Sequence, residues 1–231
     1  MASRKIAVSG HHLFQPFSWK NKQELAGIGP KLFKQILNDL NKDFEPVFIP
    51  WKRSQLMAKK GEIDVLISLF KTPERENYLE YSTPFSKTSL IVFTRNDFKA
   101  RIENWSDLVP HNGVAIRGAS SGELDVFFNS KLSLKKVENT YQMLKMVELS
   151  RADYATSSRY SAMIEAGKHG LDKVIKIHDQ PNSSQKIHLA VSKNSWFLKY
   201  LPEVNKFIKK YKKNGVLDSI VEQSLSEAIK L

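Results

Sequence analysis

Short apolar runs alternate with longer amphipathic stretches along most of the chain. The runs are rich in β-branched residues and too short for secure helices, so they predict buried strands, and the one-sided pattern opened by Gly29-Pro30 predicts a helix. The predicted strands are 6–8, 47–49, 63–69, 89–94, 114–116, a strand near 137, 154–155, 174–177 and 186–192. Predicted helices between them include 54–60, 141–149 and 158–166. This alternation indicates an α/β protein with parallel pairing through βαβ crossovers.

The alternating pattern occurs as two similar series. The second series begins at residue 114, and the strands predicted at 89–94 and 186–192 join it to the first. We therefore predict two lobes with a cleft between them, the usual place for a small ligand. The predicted boundaries give lobe 1 residues 1–94 and 188–231, and give lobe 2 residues 95–187.

Residues 63–75 predict a strand that leads directly into a helix. Thr72 has the hydroxyl of an N-cap, Pro73 suits the first helical position, and Glu74 places an acid in the first turn. A helix N-terminus presents free N–H groups to an anion, and Arg75 adds a planar fork of donors suited to a carboxylate. This segment predicts half of a site for a small acid. The alternative is an ordinary capped helix with a solvated arginine.

Residues 118–122, Gly-Ala-Ser-Ser-Gly, repeat the arrangement in the second series, between a predicted strand and a predicted helix. The glycines allow close backbone approach and the serines supply hydroxyls, with Arg117 alongside, so a second anion site is predicted here. The pentapeptide also fits the G-x-S-x-G nucleophile elbow, which keeps open a hydrolase with Ser120 as nucleophile. Its candidate bases are His169, His178 and His188.

The net charge of +12 raises the question of a nucleic-acid or membrane partner. Six lysines lie within residues 199–213. Apolar residues recur at helical spacing through the same segment, so the lysines are predicted to cover a solvated outer face, and no nucleic-acid partner is predicted. The apolar residues are Phe197, Leu201, Val204, Ile208 and Tyr211.

The sequence argues against several kinds of site and segment. The chain has no cysteine, so disulfides and thiol catalysis are excluded. The adjacent pair His11-His12 suits one metal ion poorly, and no metal or other cofactor is predicted. No apolar run has the length of a membrane span. The N-terminus lacks the apolar core of a secretory signal, but Met1-Ala-Ser equally fits an added start that replaces a removed signal, so the compartment stays open.

The order of these segments resembles the periplasmic amino-acid-binding proteins of ABC transporters, solute-binding protein family 3, with the type II periplasmic binding fold. The resemblance covers nearly the whole chain. The segments that carry it are Phe14-Gln-Pro-Phe17, Gly61-Glu-Ile-Asp64, Thr72-Pro-Glu-Arg75, Tyr81-Ser-Thr-Pro-Phe85, Asn104-Trp-Ser-Asp-Leu108, Gly118-Ala-Ser-Ser121, Arg151-Ala-Asp153 and Lys213-Asn-Gly-Val-Leu-Asp218. It implies two βα sandwich lobes that close on a solute by hinge motion around residues 93–95 and 186–190.

The resemblance also implies roles for particular residues. Arg75 takes the role of the arginine that holds the ligand carboxylate, and Ser120 and Ser121 take the role of the hydroxyl loop that holds it from the other lobe. His11 and Trp51 would line the pocket. Ser68 would hydrogen-bond the ligand and Phe14 would stack on it. The complete predicted ligand-binding set is His11, Phe14, Trp51, Ser68, Phe70, Arg75, Arg117, Gly118, Ser120, Ser121, Ser158 and Arg159.

Two departures from the family pattern bear on the ligand. Members that bind amino acids place an aspartate where this chain has Ser158 followed by Arg159, and without it the ligand ammonium loses its partner. This argues against an ordinary α-amino acid, and Arg75, Arg117 and Arg159 favour an anionic ligand. Residues 63–75 also align one residue short, with Phe70 where a small polar residue is common.

Together these features predict a monomeric, non-enzymatic receptor in the periplasm or another extracytoplasmic space. It would bind a small carboxylate-bearing ligand, an amino acid or related organic acid, and deliver it to an ABC permease. The alternative is the ligand-sensing domain of a membrane signalling protein, with an attached signalling module. A third class is an enzyme, either the Ser120 esterase or a dehydratase-like relative whose candidate acids, Glu74 and Glu123, lie at helix N-termini that disfavour the protonated form.

Overall fold

The computed structural model describes residues 4–230, which divide into two compact units. Lobe 1 contains the residues up to Lys87 and those from Lys186 onward, and lobe 2 is Thr88–Gln185. The chain crosses between them twice, and both crossings fall within long strands. Within residues 4–230, no helix combines the length and the apolar character needed to cross a membrane.

Lobe 1 begins with a series of short strands and helices. Its strands are β1 (Ile6–Gly10), β2 (Leu13–Phe14), β3 (Ser18–Asn21), β4 (Glu24–Ala26), β5 (Phe44–Pro46), β6 (Val65–Leu69) and β7 (Leu79–Tyr81). Its helices are α1 (Ile28–Asp39), α2 (Trp51–Lys60) and α3 (Pro73–Glu76). Strand β8 (Ser86–Arg95) then carries the chain into lobe 2.

Lobe 2 continues the βα alternation. Its remaining elements are β9 (Asn112–Ile116), α4 (Asp125–Lys131), β10 (Ser133–Val137), α5 (Thr140–Glu148), β11 (Tyr154–Ser158) and α6 (Arg159–Lys168), with single 3₁₀ turns at Trp105–Leu108 and Gly122–Leu124. Strand β12 (Ile175–Ser192) returns the chain to lobe 1, which ends in a 3₁₀ turn (Trp196–Tyr200), α7 (Leu201–Lys213) and α8 (Val216–Lys230).

The strand pairing confirms the predicted parallel arrangement in both lobes. In lobe 1 the order is β12-β6-β1-β5, with β1 parallel to both neighbours and β12 antiparallel to β6 and to β7. In lobe 2 β9 is parallel to β10 and to β11, and β8 runs antiparallel to β11. The carboxyl ends of the parallel strands, where ligand-binding loops usually gather, include those of β1 and β6.

The predicted helix faces are confirmed by burial. On α1, Leu32, Phe33, Ile36 and Leu37 are buried in the lobe 1 core. On α7 the predicted apolar side chains are buried, and its five lysines are all exposed. The lysines therefore form an outer face, because the 3.6-residue period turns them away from the core.

Two predictions of local structure are wrong, and one hairpin was missed. The strand predicted at residues 47–49 lies at Phe44–Pro46, since β5 pairs at the edge of β1 and the apolar residues that follow instead pack beside α2. The hairpin of β3 and β4 was not predicted, because its polar residues turn tightly at Lys22, which has a positive φ of 54°. The two strands predicted at 174–177 and 186–192 form one strand, since the polar residues between them remain extended.

Candidate ligand-binding site

Arg75 is a buried cation without an acid partner among the described residues. Its side chain lies in the first turn of α3 and is only 5% exposed. Nε donates to Gln55 Oε1 at 3.1 Å and Nη1 donates to the Phe70 carbonyl at 3.0 Å. These neutral acceptors hold the guanidinium in place, but they leave its positive charge uncompensated and most of its donors available.

The sequence explains why Arg75 takes this position. Thr72 caps α3 as predicted, with Oγ1 accepting from the Arg75 backbone N–H at 3.3 Å, and Pro73 occupies the first helical position. Because β6 delivers the chain directly to this cap, the guanidinium lies close to the carboxyl end of a central strand. That is the position that the strand-to-helix pattern predicts for an anion-binding arginine.

A row of aromatic rings in lobe 1 ends beside the guanidinium. The Arg75 guanidinium carbon lies 5.9 Å from the Trp51 ring centre, and the His11 ring lies 5.9 Å from the same indole. Phe14 lies 6.4 Å from His11 and 5.8 Å from Phe70, between ring centres. These four predicted residues therefore form one continuous group of rings with Arg75 beside it, suited to an acid with an apolar body.

His11 is held neutral in this group. Burial lowers the pKa of His11 to about 4, and the positive charges of His12 and Arg75 act in the same direction. His12 packs instead against Phe48, with ring centres 5.6 Å apart. Within residues 4–230, no group of three or more acidic or histidine side chains has the arrangement of a metal site.

Ser68 is brought to the same end of β6, but its hydroxyl proton is engaged. Its Oγ donates to the Phe17 carbonyl at 2.9 Å, and the residue has a positive φ of 61°. An added Cβ at Gly29 would lie 2.2 Å from this oxygen, so the site is closely packed. Contact between Ser68 and a ligand stays a prediction, and only the lone pairs of the hydroxyl oxygen remain for it.

The predicted hydroxyl loop of lobe 2 contains an internal anion. Ser120 Oγ donates to Asp125 Oδ2 at 2.6 Å, and the Ser121 backbone N–H donates to Asp125 Oδ1 at 2.5 Å. Gly122 N donates in turn to Ser120 Oγ at 2.9 Å. A carboxylate therefore uses donors that were predicted to hold a ligand, and sequence reasoning missed Asp125. An acid in the first turn of the following helix was the signal that could have identified it.

The other predicted lobe 2 residues have internal partners too. Arg117 is exposed and its Nε donates to Glu138 at 2.7 Å, while Arg159 Nη2 donates to Asp179 at 2.6 Å. Ser158 is buried, with its Oγ 2.8 Å from Thr88 Oγ1. Ligand contact by these residues stays a prediction. Both arginines have acid partners, so Arg75 is the residue that chiefly favours an anionic ligand.

The side chains of a nucleophile elbow are not brought together within lobe 2. Ser120 bonds to Asp125, whereas His178 Nε2 lies 2.9 Å from Thr94 Oγ1 and His169 lies 3.3 Å from Glu165. The third candidate base, His188, belongs to lobe 1, where its Nδ1 lies 2.7 Å from the Ser82 carbonyl. The acids considered for a dehydratase, Glu74 and Glu123, are both exposed.

Comparison with known proteins identifies the class and then the family. The α/β fold of this chain matches solved structures with the type II periplasmic binding fold. One of these structures is a histidine kinase sensor domain with similarity to periplasmic binding proteins. It is 18% identical over 96% of each chain, with a TM-score of 0.83. A model of the family described as bacterial extracellular solute-binding proteins, family 3, matches residues 5–227. The chain belongs to this family, and the predicted resemblance and fold are confirmed.

Two curated relatives differ greatly in length. The virulence sensor protein BvgS of Bordetella pertussis is 24% identical over 174 residues, which are 74% of this chain and 14% of that protein. The probable amino-acid-binding protein YxeM of Bacillus subtilis is 20% identical over 217 residues, which are 93% of this chain and 81% of that protein. The chain therefore spans a small part of one relative and most of the other.

Proposed function

We propose that this chain is an extracytoplasmic receptor that binds a small carboxylate-bearing ligand through Arg75 and delivers it to an ABC transporter. The observation that carries the proposal is the buried Arg75 guanidinium with no acid partner among the described residues. A buried, uncompensated charge is costly, and a ligand carboxylate would supply both the missing charge and acceptors for the remaining donors. The family membership and the amino-acid-binding relative support the same reading.

Substitution of Arg75 tests this proposal. A carboxylate panel (acetate, benzoate, pyruvate, lactate, succinate, L-glutamate and L-arginine) is screened by thermal shift, and calorimetry then gives Kd for each compound that binds. We expect Arg75→Ala to weaken every carboxylate that binds by about 100-fold or more, since charge-assisted hydrogen bonds contribute about 1.5–3 kcal/mol each. Arg75→Lys should recover little of this, because an ammonium lacks the planar fork.

Arg101→Ala is the matched control. Arg101 is exposed in lobe 2 and pairs with Glu103 at 2.5 Å, so its loss changes the net charge equally and removes none of the residues predicted to bind the ligand. An Arg75→Ala protein that binds a carboxylate as tightly as the wild type would disprove the proposal.

A second candidate function is ligand sensing. It is favoured by the histidine kinase sensor domain among the similar structures and by the partial match to a virulence sensor. Sequencing the reading frame beyond codon 231 would discriminate the two functions, because a sensor would continue into a membrane segment and a signalling module. Restored uptake by a permease supplied with this chain would instead support transport.

A further inference from the structure

The neutral tautomer of His11 is fixed by the backbone. The Leu13 N–H donates to His11 Nδ1 at 3.2 Å, so Nδ1 presents a lone pair and the ring proton of the neutral form resides on Nε2. No described residue forms a hydrogen bond with Nε2. His11 therefore contributes one uncharged, oriented donor, unlike the common neutral histidine that can exchange tautomers.

The surroundings of this donor disfavour any cation. His11 packs on the Trp51 indole, and the guanidinium carbon of Arg75 lies 5.9 Å from the centre of the same ring system. The Arg75 charge is near enough to lower the pKa of His11, together with burial and His12. No described acid forms an ion pair with Arg75 or a hydrogen bond with His11. A ligand ammonium here would face a positive charge and a donor, with no carboxylate to compensate it.

We infer that His11 is a specificity-determining residue whose Nε2–H donates to an uncharged acceptor beside the ligand carboxylate, so that the site selects 2-oxo and 2-hydroxy acids over 2-amino acids. This inference rests on the proposed function, because the carboxylate itself is assigned to Arg75. An oxo or hydroxyl oxygen accepts the hydrogen bond that an ammonium cannot accept. The rings of Phe14, Trp51 and Phe70 further suit an aromatic body on the acid.

Four probes isolate the group next to the carboxylate. Phenylpyruvate, phenyllactate, 3-phenylpropionate and phenylalanine share a phenyl body and a carboxylate, and differ only in an oxo, hydroxyl, hydrogen or ammonium substituent at C2. Calorimetry on the wild-type protein is expected to rank the oxo and hydroxy acids roughly threefold to tenfold tighter than phenylpropionate, the range of one neutral hydrogen bond. Phenylalanine is expected to bind more weakly than all three.

Two isosteric variants test whether His11 causes this ranking. The amide of His11→Asn reaches the Nδ1 position and can still accept from Leu13, but it leaves no donor at the Nε2 position. The amide of His11→Gln reaches the Nε2 position and can donate there. We expect the preference for oxo and hydroxy acids over phenylpropionate to disappear in His11→Asn and to be retained in His11→Gln. The preference is the ratio of the Kd values measured on the same variant, so that a general loss of packing by the imidazole ring affects all the probes alike.

The outcomes separate this inference from the proposed function. If other carboxylates bind through Arg75 but phenylalanine binds as tightly as phenyllactate, or if His11→Asn keeps the ranking, the inference is overturned and the carboxylate receptor stands. Failure of all four probes alongside Arg75-dependent binding of another carboxylate also overturns it. As a readout that needs no ligand or variant, ¹⁵N NMR at pH 7 should show His11 protonated on Nε2 only, and a proton on Nδ1 would exclude the assigned donor.

Discussion

At the scale of single residues, three arginines with the same predicted role differ in burial and in whether they have an acid partner. Arg75, Arg117 and Arg159 were all predicted to face an anionic ligand, yet only Arg75 is buried without an acid partner among the described residues. The partners of the other two lie 21 and 20 residues away along the chain, at Glu138 and Asp179. Such pairs depend on strand and helix placement, which local patterns do not specify.

The lowered pKa of His11 predicts a dependence of stability on pH. In the folded protein, burial lowers the pKa of His11 from 6.5 to about 4, so the unfolded chain takes up the proton first as pH falls. The stabilisation is complete above pH 6.5 and is lost as pH falls toward 4. Between pH 7.5 and 5.0, the free energy of unfolding should decrease by about 1–2 kcal/mol more in the wild type than in His11→Gln.

Urea unfolding at the two pH values measures this difference. His12, His178 and His188, whose pKa values are also lowered by burial, are present in both proteins, so their contributions cancel in the comparison. Equal pH dependence in the two proteins would mean that His11 titrates normally in the folded state.

At the scale of elements, two similar strand–loop–helix segments differ in whether an acid of the chain already occupies their donors. The segment ending at α3 leaves the Arg75 charge uncompensated, whereas the loop of residues 118–122 already holds the Asp125 carboxylate. The sequence predicted both turns correctly, since glycine, serine, threonine and proline have strong local preferences. It did not predict that one turn would hold its own acid, because serine and glycine at a helix start suit an internal and an external anion equally.

Two glycines of lobe 2 allow a matched test of local packing. Gly122 has a φ of +66°, and an added Cβ would lie 1.9 Å from Gln185 Oε1, whose side chain is itself buried. Gly167 lies in α6 with no heavy atom within 4 Å of an added Cβ. We expect Gly122→Ala to destabilise the protein by about 1–3 kcal/mol and Gly167→Ala to stabilise it by about 0.5–1 kcal/mol.

Thermal and urea unfolding of both variants would measure the two effects. A Gly122→Ala protein as stable as the wild type would mean that Gln185 moves aside freely and that the loop tolerates a side chain. The Gly167→Ala protein controls for the general effect of removing a glycine from the unfolded chain.

The strand and helix order was predicted well from periodicity, but hydrogen-bond register was not. The period of buried positions identifies α1, α7 and β6 because each has one continuous apolar face or run. The edge strand β5 was misplaced by three residues, since apolar residues that follow a strand look the same in sequence as those within it. Among the site residues, the burial of Arg75 and the internal bond of Ser68 depend on contacts with Gln55 and Phe17, far along the chain.

At the scale of the whole molecule, ligand binding should protect particular segments from hydrogen exchange. With a saturating carboxylate that binds the wild type, amides of residues 10–17 and 70–77 should exchange more slowly, because they carry the rings and the Arg75 donors. The core of α5, which contains Met143 and Leu144, should be unaffected and serves as the internal control. Unchanged exchange at residues 70–77 would contradict ligand binding at α3.

Exchange in the loop of residues 118–122 gives separate information. The prediction that this loop also contacts the ligand requires slower exchange there when the carboxylate is added. No change in the loop, with protection at residues 70–77, would mean that the ligand does not contact this loop and that the Asp125 bonds are undisturbed.

The double crossing of the chain determines when each lobe can be completed during synthesis. Lobe 2 is one uninterrupted segment, so all of its core residues leave the ribosome before residue 186. The lobe 1 core joins residues 6–85 to residues 187–217, and the buried Asp64 carboxylate accepts from both Ala7 N and Ser195 Oγ. Because its late contacts close a loop of about 100 residues, lobe 1 emerges first yet finishes last. Until β12 and the final helices are made, the edge of β6 and the apolar core of lobe 1 stay uncovered, so that incomplete lobe 1 can aggregate or bind chaperones at a stage when lobe 2 is already complete.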